Sequence, residues 1–540
     1  MPATNIQQRL VAALARWLRT DGRPAPTVLE THISYVLLTG RYAYKIKKAV
    51  ELAFLDFRTL EARRLFCERE VRLNRRLAPA LYLGVVPIQG DTEAPVLGGD
   101  GPAIEYAVKM LEFPQDALAS TLLARGALGA ADIDALAANI ASFHKTIDIA
   151  SATGAHGTPA GILRLALQNV TEIDGLATSE AEHREVARLR EWTENEYHRR
   201  GRVLQLRLEQ GFVRECHGDL HLGNIARMDG ELVVFDGIEF NDDMRWIDTM
   251  SEVAFTIMDL EHRGRAELSH RFLNAYLEHT GDYAGLAVLS FYLVYRALVR
   301  AKVALLRAAQ EEEVAASASR SEAGRHLALA AKYAAAPHPA LIITCGLSGS
   351  GKTTGSQAFL ERVGAVRVRS DVERKRRHGV AALERSSNAV DVALYTPRET
   401  DGTYERLKHL ARSIVEAGWT VVVDATFLRR GQRQTFRDLA TALRVPFAIL
   451  SFDAPAATLR KRIAERHAHG ADASDADLGV LSYQIATREP LTEDERRCAI
   501  SDLDVLEFPQ LASAMSKGRE TRWPWNLYPA RPCGAASGSA

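Results

Sequence analysis

The chain lacks most of what would tie it to the cell exterior or to a polyanion. Only five of its 540 residues are cysteines (Cys67, Cys216, Cys345, Cys498 and Cys533). They are scattered with no paired spacing, which argues against a disulfide framework or a cysteine zinc site and predicts reduced thiols. There is no excess charge of either sign: Lys+Arg and Asp+Glu stand at 68 each. No global field therefore draws the chain to nucleic acid or to an anionic membrane, and interleaved aromatic and basic residues are missing too. The most apolar stretch, residues 286–306, is interrupted by Arg296, Arg300 and Lys302, which argues against a membrane span. The N-terminus carries Arg9 inside its apolar pattern and has no cleavage-site architecture, so no signal peptide is expected. There is no internal repeat. The expectation is a cytoplasmic protein without a membrane partner, long enough for two to four domains at roughly 150 residues each.

What is present is concentrated in two segments. The first is His217-Gly218-Asp219-Leu220-His221-Leu222-Gly223-Asn224, followed by the strand-like Leu232-Val233-Val234-Phe235-Asp236. The second is Gly346-Leu347-Ser348-Gly349-Ser350-Gly351-Lys352-Thr353, preceded by Leu341-Ile342-Ile343-Thr344-Cys345. Both are phosphate- and magnesium-handling patterns, and they differ in type. Between them lies an Ala/Ser/Glu/Arg-rich stretch, helical in composition and stopped by Pro337-His338-Pro339. The expected organisation is a first domain over 1–310, a helical linker over 311–338, a second domain over 339–515 and a disordered tail over 516–540.

In the first domain a helix is expected over 6–18 and strand pairs over 34–39 with 41–48 and 85–89 with 103–110. The segment 90–102 reads as turn, and a charged helix spans about 60–77. Strand pair, helix, strand pair is the order of a protein-kinase-like small lobe. Such a lobe needs a strand lysine for the α/β-phosphates and a helix glutamate to hold it. Lys45 is the first candidate and Lys47, on the same strand face, its competitor; Glu70 is preferred over Glu68 as partner. In the first motif Asp219 can orient or deprotonate an acceptor hydroxyl, and Asn224 has the offset of a magnesium ligand. A hairpin about Asp229-Gly230 brings Asp236 back as a second ligand. Glu239, Asp242 and Asp243 read first as a solvated acidic turn, second as an acidic substrate pocket.

The pattern His-Gly-Asp-x-His-x-x-Asn with a strand-borne Asp resembles the aminoglycoside phosphotransferase/choline kinase group of the protein-kinase-like superfamily. The resemblance implies an α+β bilobal fold, with Asp219 as catalytic base, Asn224 and Asp236 as magnesium ligands, and Lys45 and Glu70 as the phosphate-binding ion pair. It also implies an adenine-binding hinge over 105–113 and bracing of the loop by Arg245 and Asp248, with His221 orienting it. The chain departs from the kinase pattern in having no Gly-x-Gly-x-x-Gly before Lys45.

The second motif is a P-loop in its required setting, after an apolar strand and before a helix. Gly346, Ser348, Gly349, Ser350, Gly351, Lys352, Thr353 and Thr354 are the expected phosphate binders: glycines turn backbone N–H groups inward and the helix N-terminus adds its dipole. Lys352 would reach the β/γ-phosphates and Thr353 would hold Mg²⁺. Strands expected over 365–369, 420–425 and 447–452 alternate with helices, giving an α/β P-loop fold with a parallel sheet. Asp371, at a strand end, is a candidate base, and Asp424, at another, a candidate metal ligand. Arg462 and Arg466, one turn apart, would close over the transferring phosphoryl group or belong to a solvated basic helix; residues 467–477 would form a lid.

This half resembles small P-loop kinases of the polynucleotide kinase, gluconate kinase and zeta-toxin type. The whole chain resembles the bacterial bifunctional aminoglycoside phosphotransferase/ATP-binding protein family, often labelled AAA family ATPase. The expectation is an ATP- and Mg²⁺-dependent phosphotransferase with two centres acting on small hydroxyl compounds, of the aminoglycoside or sugar kind. The alternatives are a regulatory ATPase whose kinase-like half senses a ligand, and a nucleic-acid 5′-end kinase acting through the P-loop half.

Overall fold

The computed structural model of the chain describes residues 3–19, 26–52, 55–99, 101–379, 397–469 and 477–501. The chain divides into two compact units. The first takes in Met1–Ala177 and Thr193–Asp259, the second Thr178–Trp192 and the chain from Leu260 onward. The boundary expected near residue 310 thus falls inside the second unit. The tail expected over 516–540 lies outside the described residues.

In the first unit a six-stranded antiparallel sheet is built from β1 (Thr27–Glu30), β2 (Ser34–Leu38), β3 (Tyr42–Lys47), β4 (Tyr82–Gly90), β5 (Pro95–Leu97) and β6 (Glu105–Leu111), in the order β1-β2-β3-β6-β4-β5. Residues 95–97, expected as turn, pair with the end of β4. The sheet lies between two helices, α1 (Ala3–Trp17) and α2 (Leu60–Asn74). Strand alternation assigns the faces. Tyr44 and Ile46 of β3 join Leu10, Val11 and Leu14 of α1 in one cluster, which leaves Lys45 and Lys47 for the face toward α2. On that side Cys67 and Val71 pack with Leu81, Tyr82 and Val108. Further along lie α3 (Ala130–Thr146), α4 (Glu180–Glu209), β7 (Val213–Glu215), the hairpin β8 (Ile225–Met228) and β9 (Glu231–Val234), β10 (Trp246–Asp248) and α5 (Thr249–His262).

The second unit begins its own helices with α6 (Ala266–Thr280), α7 (Leu286–Ala308) and α8 (Glu313–Ala334). Helix α7 is long and apolar enough to cross a membrane by length and composition alone, but it is a core helix: Leu289, Phe291, Tyr292, Leu293 and Arg296 are all buried. The stretch expected as a linker is α8. Then follow β11 (Leu341–Cys345), α9 (Lys352–Val363), β12 (Val366–Arg369), α10 (Ser370–Arg377), α11 (Pro397–Glu416), β13 (Val421–Asp424), α12 (Arg430–Leu443), β14 (Phe447–Ser451), α13 (Ala456–His469), α14 (Leu478–Thr487) and β15 (Ala499–Ser501). The strands form one parallel sheet in the order β12-β13-β11-β14-β15. Its central strand is buried at every residue, as expected of a parallel sheet covered on both faces.

Candidate phosphoryl-transfer sites

In the first unit β3 delivers two lysines to one buried carboxylate. Glu70 of α2 lies 2.9 Å from Lys45 Nζ and 2.6 Å from Lys47 Nζ. Each lysine has a second acid: Lys45 contacts Asp236 and Lys47 contacts Glu239. A buried ammonium is tolerable only when so paired. Burial alone would lower the Lys45 pKa, but Asp236, Glu70 and Glu239 hold it well above its ordinary value. Burial would raise Glu70, and the two lysines pull it down to about 2. The two lysines differ in their outlook: the Lys45 side chain is 11% exposed and that of Lys47 0%. Glu68 instead pairs with Arg64 on the exposed face of α2, 2.9 Å away.

The loop 217–224 places Asp219 beside Asn224, whose Nδ2 donates to Asp219 Oδ2 (2.9 Å) and to its carbonyl (3.0 Å); Oδ1 of Asn224, which makes neither bond, is the atom that could hold a metal. The β8–β9 hairpin turns through Asp229 (φ 50°) and Gly230 (φ 89°), the conformation a two-residue turn demands. Phe235 N–H then donates to the Asn224 carbonyl at 2.9 Å, which sets the next residue, Asp236, beside the loop. Asp236 is itself left-handed (φ 62°), costing a non-glycine residue roughly 1–2 kcal/mol. Its N–H donates to Tyr82 Oη at 3.1 Å.

Two acids unforeseen from the sequence hold this loop. Glu252 accepts from the N–H groups of His217 (3.1 Å) and Gly218 (2.8 Å), and Asp259 from that of Leu222 (2.9 Å). Burial would raise the Glu252 carboxyl, yet His144, His217 and the Gly218 N–H bring it down to about 2. The available signal was their spacing of seven residues, which sets both acids on one face of α5. Arg245, expected with Asp248 to brace the loop, accepts through its carbonyl from the N–H of Cys216, just ahead of the loop, at 3.0 Å, while both side chains meet neighbouring charges. Arg245 pairs with Glu215 and Asp242, and Asp248 takes Arg207 of α4 through both oxygens, because these buried guanidiniums need local counter-charge. His221 Nδ1 accepts from Gly223 N–H at 3.0 Å, and its Nε2 lies 3.4 Å from Asp219 Oδ2.

Of the acidic residues after the hairpin, Glu239 needs correction. Glu239 is sealed in with Lys47, while Asp243 engages His156 (2.8 Å) and Arg164 (3.1 Å). Glu239 therefore belongs neither to a solvated turn nor to an open acidic pocket, whereas Asp242 and Asp243 stay partly open to solvent, with side chains 42% and 40% exposed. The expected hinge over 105–113 is mostly strand. Glu105 is locked to Arg63 and Gln7 in the interior, and only Glu112 and Phe113 extend past β6.

In the second unit the P-loop joins β11 to α9. Gly351 caps α9 at φ 92°, a left-handed conformation that favours glycine. A Cβ on Gly346 would meet the Phe452 carbonyl oxygen at 2.4 Å. Lys352 Nζ donates to the Leu347 carbonyl (2.8 Å), and Thr353 Oγ1 donates to Asp424 Oδ2 (3.0 Å). Ser350 Oγ is buried without a hydrogen-bond partner, an open donor in the cradle where phosphate oxygens would sit. Ser348 is read by Gln484 of α14, which accepts from its N–H at 2.9 Å.

A cavity of about 730 Å³ opens from this cradle, lined by Lys352, Thr353 and Thr354 at one part and by Arg369, Asp371 and Arg374 at another. Asp371 pairs with Arg374 at 3.0 Å. Arg369, Arg374 and Tyr404 were not foreseen. Of the two arginines expected on α13, Arg462 donates to the Gly349 carbonyl at 3.3 Å from an exposed position. The side chain of Arg466, and most of the lid expected over 467–477, lie outside the described residues.

The two donor sets are hard oxygens, hydroxyl with carboxylate and amide with carboxylate, which suits magnesium. Residues 53–289 match the phosphotransferase enzyme family, and residues 341–491 match a AAA domain. The chain is a kinase, carrying a phosphotransferase-family domain and a C-terminal P-loop kinase-like domain. Uncharacterized proteins of Mycobacterium tuberculosis and Mycobacterium bovis are each 29% identical over 463 residues, covering 86% of this chain and 91% of theirs. Among solved structures, a choline/ethanolamine kinase family protein from Mesorhizobium loti matches at 13% identity, covering 61% of this chain and 99% of its own, with a TM-score of 0.35. A gluconokinase from Sinorhizobium meliloti matches at 21%, covering 34% and 93%, with a TM-score of 0.23.

Proposed function

We propose that the chain is a bifunctional ATP- and Mg²⁺-dependent phosphotransferase that moves the γ-phosphoryl group to small hydroxyl acceptors at two centres. What supports this reading is that Lys45 pairs with Glu70 and Asp236 in the first unit, and that in the second Thr353 meets Asp424 in a cavity also lined by Lys352 and Asp371. In the first unit Lys45, oriented by Glu70, neutralises the α/β-phosphates. Asn224 and Asp236 would hold magnesium, and Asp219 accepts the acceptor's proton. In the second unit Lys352 and the P-loop N–H groups cradle the phosphates. Thr353 and Asp424 would hold magnesium, and Asp371 orients the acceptor hydroxyl. Bound magnesium supplies charge neutralisation on the phosphate oxygens. The residues themselves contribute alignment and a preorganised field.

Transfer of label from γ-labelled ATP into a metabolite extract tests the reading. Wild type, Asp219→Asn and Lys352→Ala are run in parallel, and each variant is expected to lose a different labelled product. Loss of one and the same product from both variants would refute two independent centres. ATP hydrolysis with no labelled acceptor would favour a regulatory ATPase, and label appearing on oligonucleotide 5′-ends would favour an end kinase.

A further inference from the structure

The edge strand of the parallel sheet, β12, is not left bare. Asn274 of α6 acts as a strand partner: its Nδ2 donates to the Ala365 carbonyl at 2.9 Å, and its Oδ1 accepts from Arg367 N–H at 2.7 Å. The same helix reaches the far end of α9, where Arg271 pairs with Glu361 at 2.7 Å and His270 Nδ1 donates to the Glu361 carbonyl at 2.8 Å. Helix α6 lies within residues 53–289, the phosphotransferase-family match, and outside residues 341–491, the P-loop match.

One residue of α6 reaches toward the chemistry. Glu278 Oε1 lies 2.7 Å from Arg369, and its Oε2 lies 3.6 Å from Arg367. Arg367 is buried and donates to the Thr353 carbonyl at 3.0 Å and to Ser356 Oγ at 3.3 Å. It therefore holds the first turn of α9, from which the Thr353 hydroxyl meets Asp424. Arg369 lines the cavity beside Asp371. A single carboxylate thus braces the metal corner through one arginine and the acceptor side through the other.

We propose that Glu278 is a positioning residue of the P-loop site, so that this site is completed by a helix from the phosphotransferase-family segment. Burial alone would raise its carboxyl, but Arg369 and Arg367 hold it below the ordinary carboxylate value, in keeping with an ionised bridge. The proposal rests on the reading of the P-loop site as a nucleotide site, and the test separates the two. Without the Glu278 charge, Arg367 is a buried cation lacking its counter-ion. Small displacements of positioned groups cost up to about a hundredfold in rate.

The experiment uses the full-length chain with MgADP as calorimetric probe, and the binding event lost in Lys352→Ala identifies the P-loop site. Glu278→Gln is expected to weaken that event about tenfold at unchanged stoichiometry. The Asp219-dependent labelled product should keep its kcat and KM. Arg369→Met should raise the acceptor KM of the Lys352-dependent product while leaving MgADP affinity within twofold. A reduced stoichiometry at unchanged affinity in Glu278→Gln would overturn the proposal, since Glu278 would then only stabilise the fold. Unchanged affinity and stoichiometry would overturn it as well. If wild type forms no Lys352-dependent product but the affinity shift is present, phosphotransfer fails and the positioning role stands.

Discussion

The two candidate sites would solve the same problem, holding a triphosphate, with different materials. The first-unit site is made of side-chain charge: Asp236, Lys45, Glu70, Lys47 and Glu239 form a chain of ion pairs, buried except at its Asp236 end, whose two ends lie three residues apart. The second-unit site is made of backbone, with Gly346, Gly349 and Gly351 shaping a loop of N–H groups ahead of α9. Charge built from side chains must be balanced pair by pair in a poorly solvated interior. Charge built from backbone dipoles is already present and needs only a permissive φ and room for the ligand. The first site should therefore fail through unpaired charge and the second through lost space.

The largest expected effect is at Lys47, whose side chain is fully buried. Lys47→Met leaves Glu239 without its partner and is expected to destabilise the first unit by about 3–5 kcal/mol, measured by chemical denaturation. The double variant Lys47→Met/Glu239→Gln should recover most of that loss; no recovery would mean that charge balance is not what holds the segment. Next comes acid. The Glu252 pKa lies below its unfolded value, at about 2, so its contribution is complete above the ordinary carboxylate pKa. It is lost as pH falls from about 4.5 toward 2, on the order of 3 kcal/mol in all. Denaturation midpoints of the first unit should drop across that window, and in Glu252→Gln the drop should be smaller.

Gly346→Ala puts a Cβ 2.4 Å from the Phe452 carbonyl oxygen. It is expected to lower the Lys352-dependent product about a hundredfold and to leave the Asp219-dependent product intact. Equal loss of both products would erase the contrast between the sites. The smallest effect is predicted for Arg462→Ala. Placed in an exposed position and donating to the Gly349 carbonyl, Arg462 should contribute about tenfold to kcat, or about 1.4 kcal/mol. A much larger loss would mean that the backbone-built site also depends on a side-chain cation.

Much of both sites was legible because their chemistry is local. Asp219 and Asn224 sit five residues apart on one loop, the Asp229-Gly230 turn dictates where Asp236 returns, and the P-loop is contiguous from Gly346 to Thr353. The choice between Lys45 and Lys47 was not legible. Strand alternation places both on one face, and only Asp236 and Glu239, about 190 residues on, distinguish them. Glu252 and Asp259 were missed because a carboxylate that accepts loop N–H groups looks in sequence like any acid on a helix.

The sequence by itself determined the two phosphate-binding motifs, the alternation that turns Lys45 and Lys47 inward, and the parallel order implied by strands alternating with helices. These follow from spacing, periodicity and glycine conformation, which act over a few residues. The tertiary structure alone decided which acid meets which base, and that α6 joins the second unit to seal the edge of β12 through Asn274 and bridge Arg367 and Arg369 through Glu278. Buried charges and open strand edges have no preferred partner in sequence; they take the one that the packed chain brings within hydrogen-bonding distance.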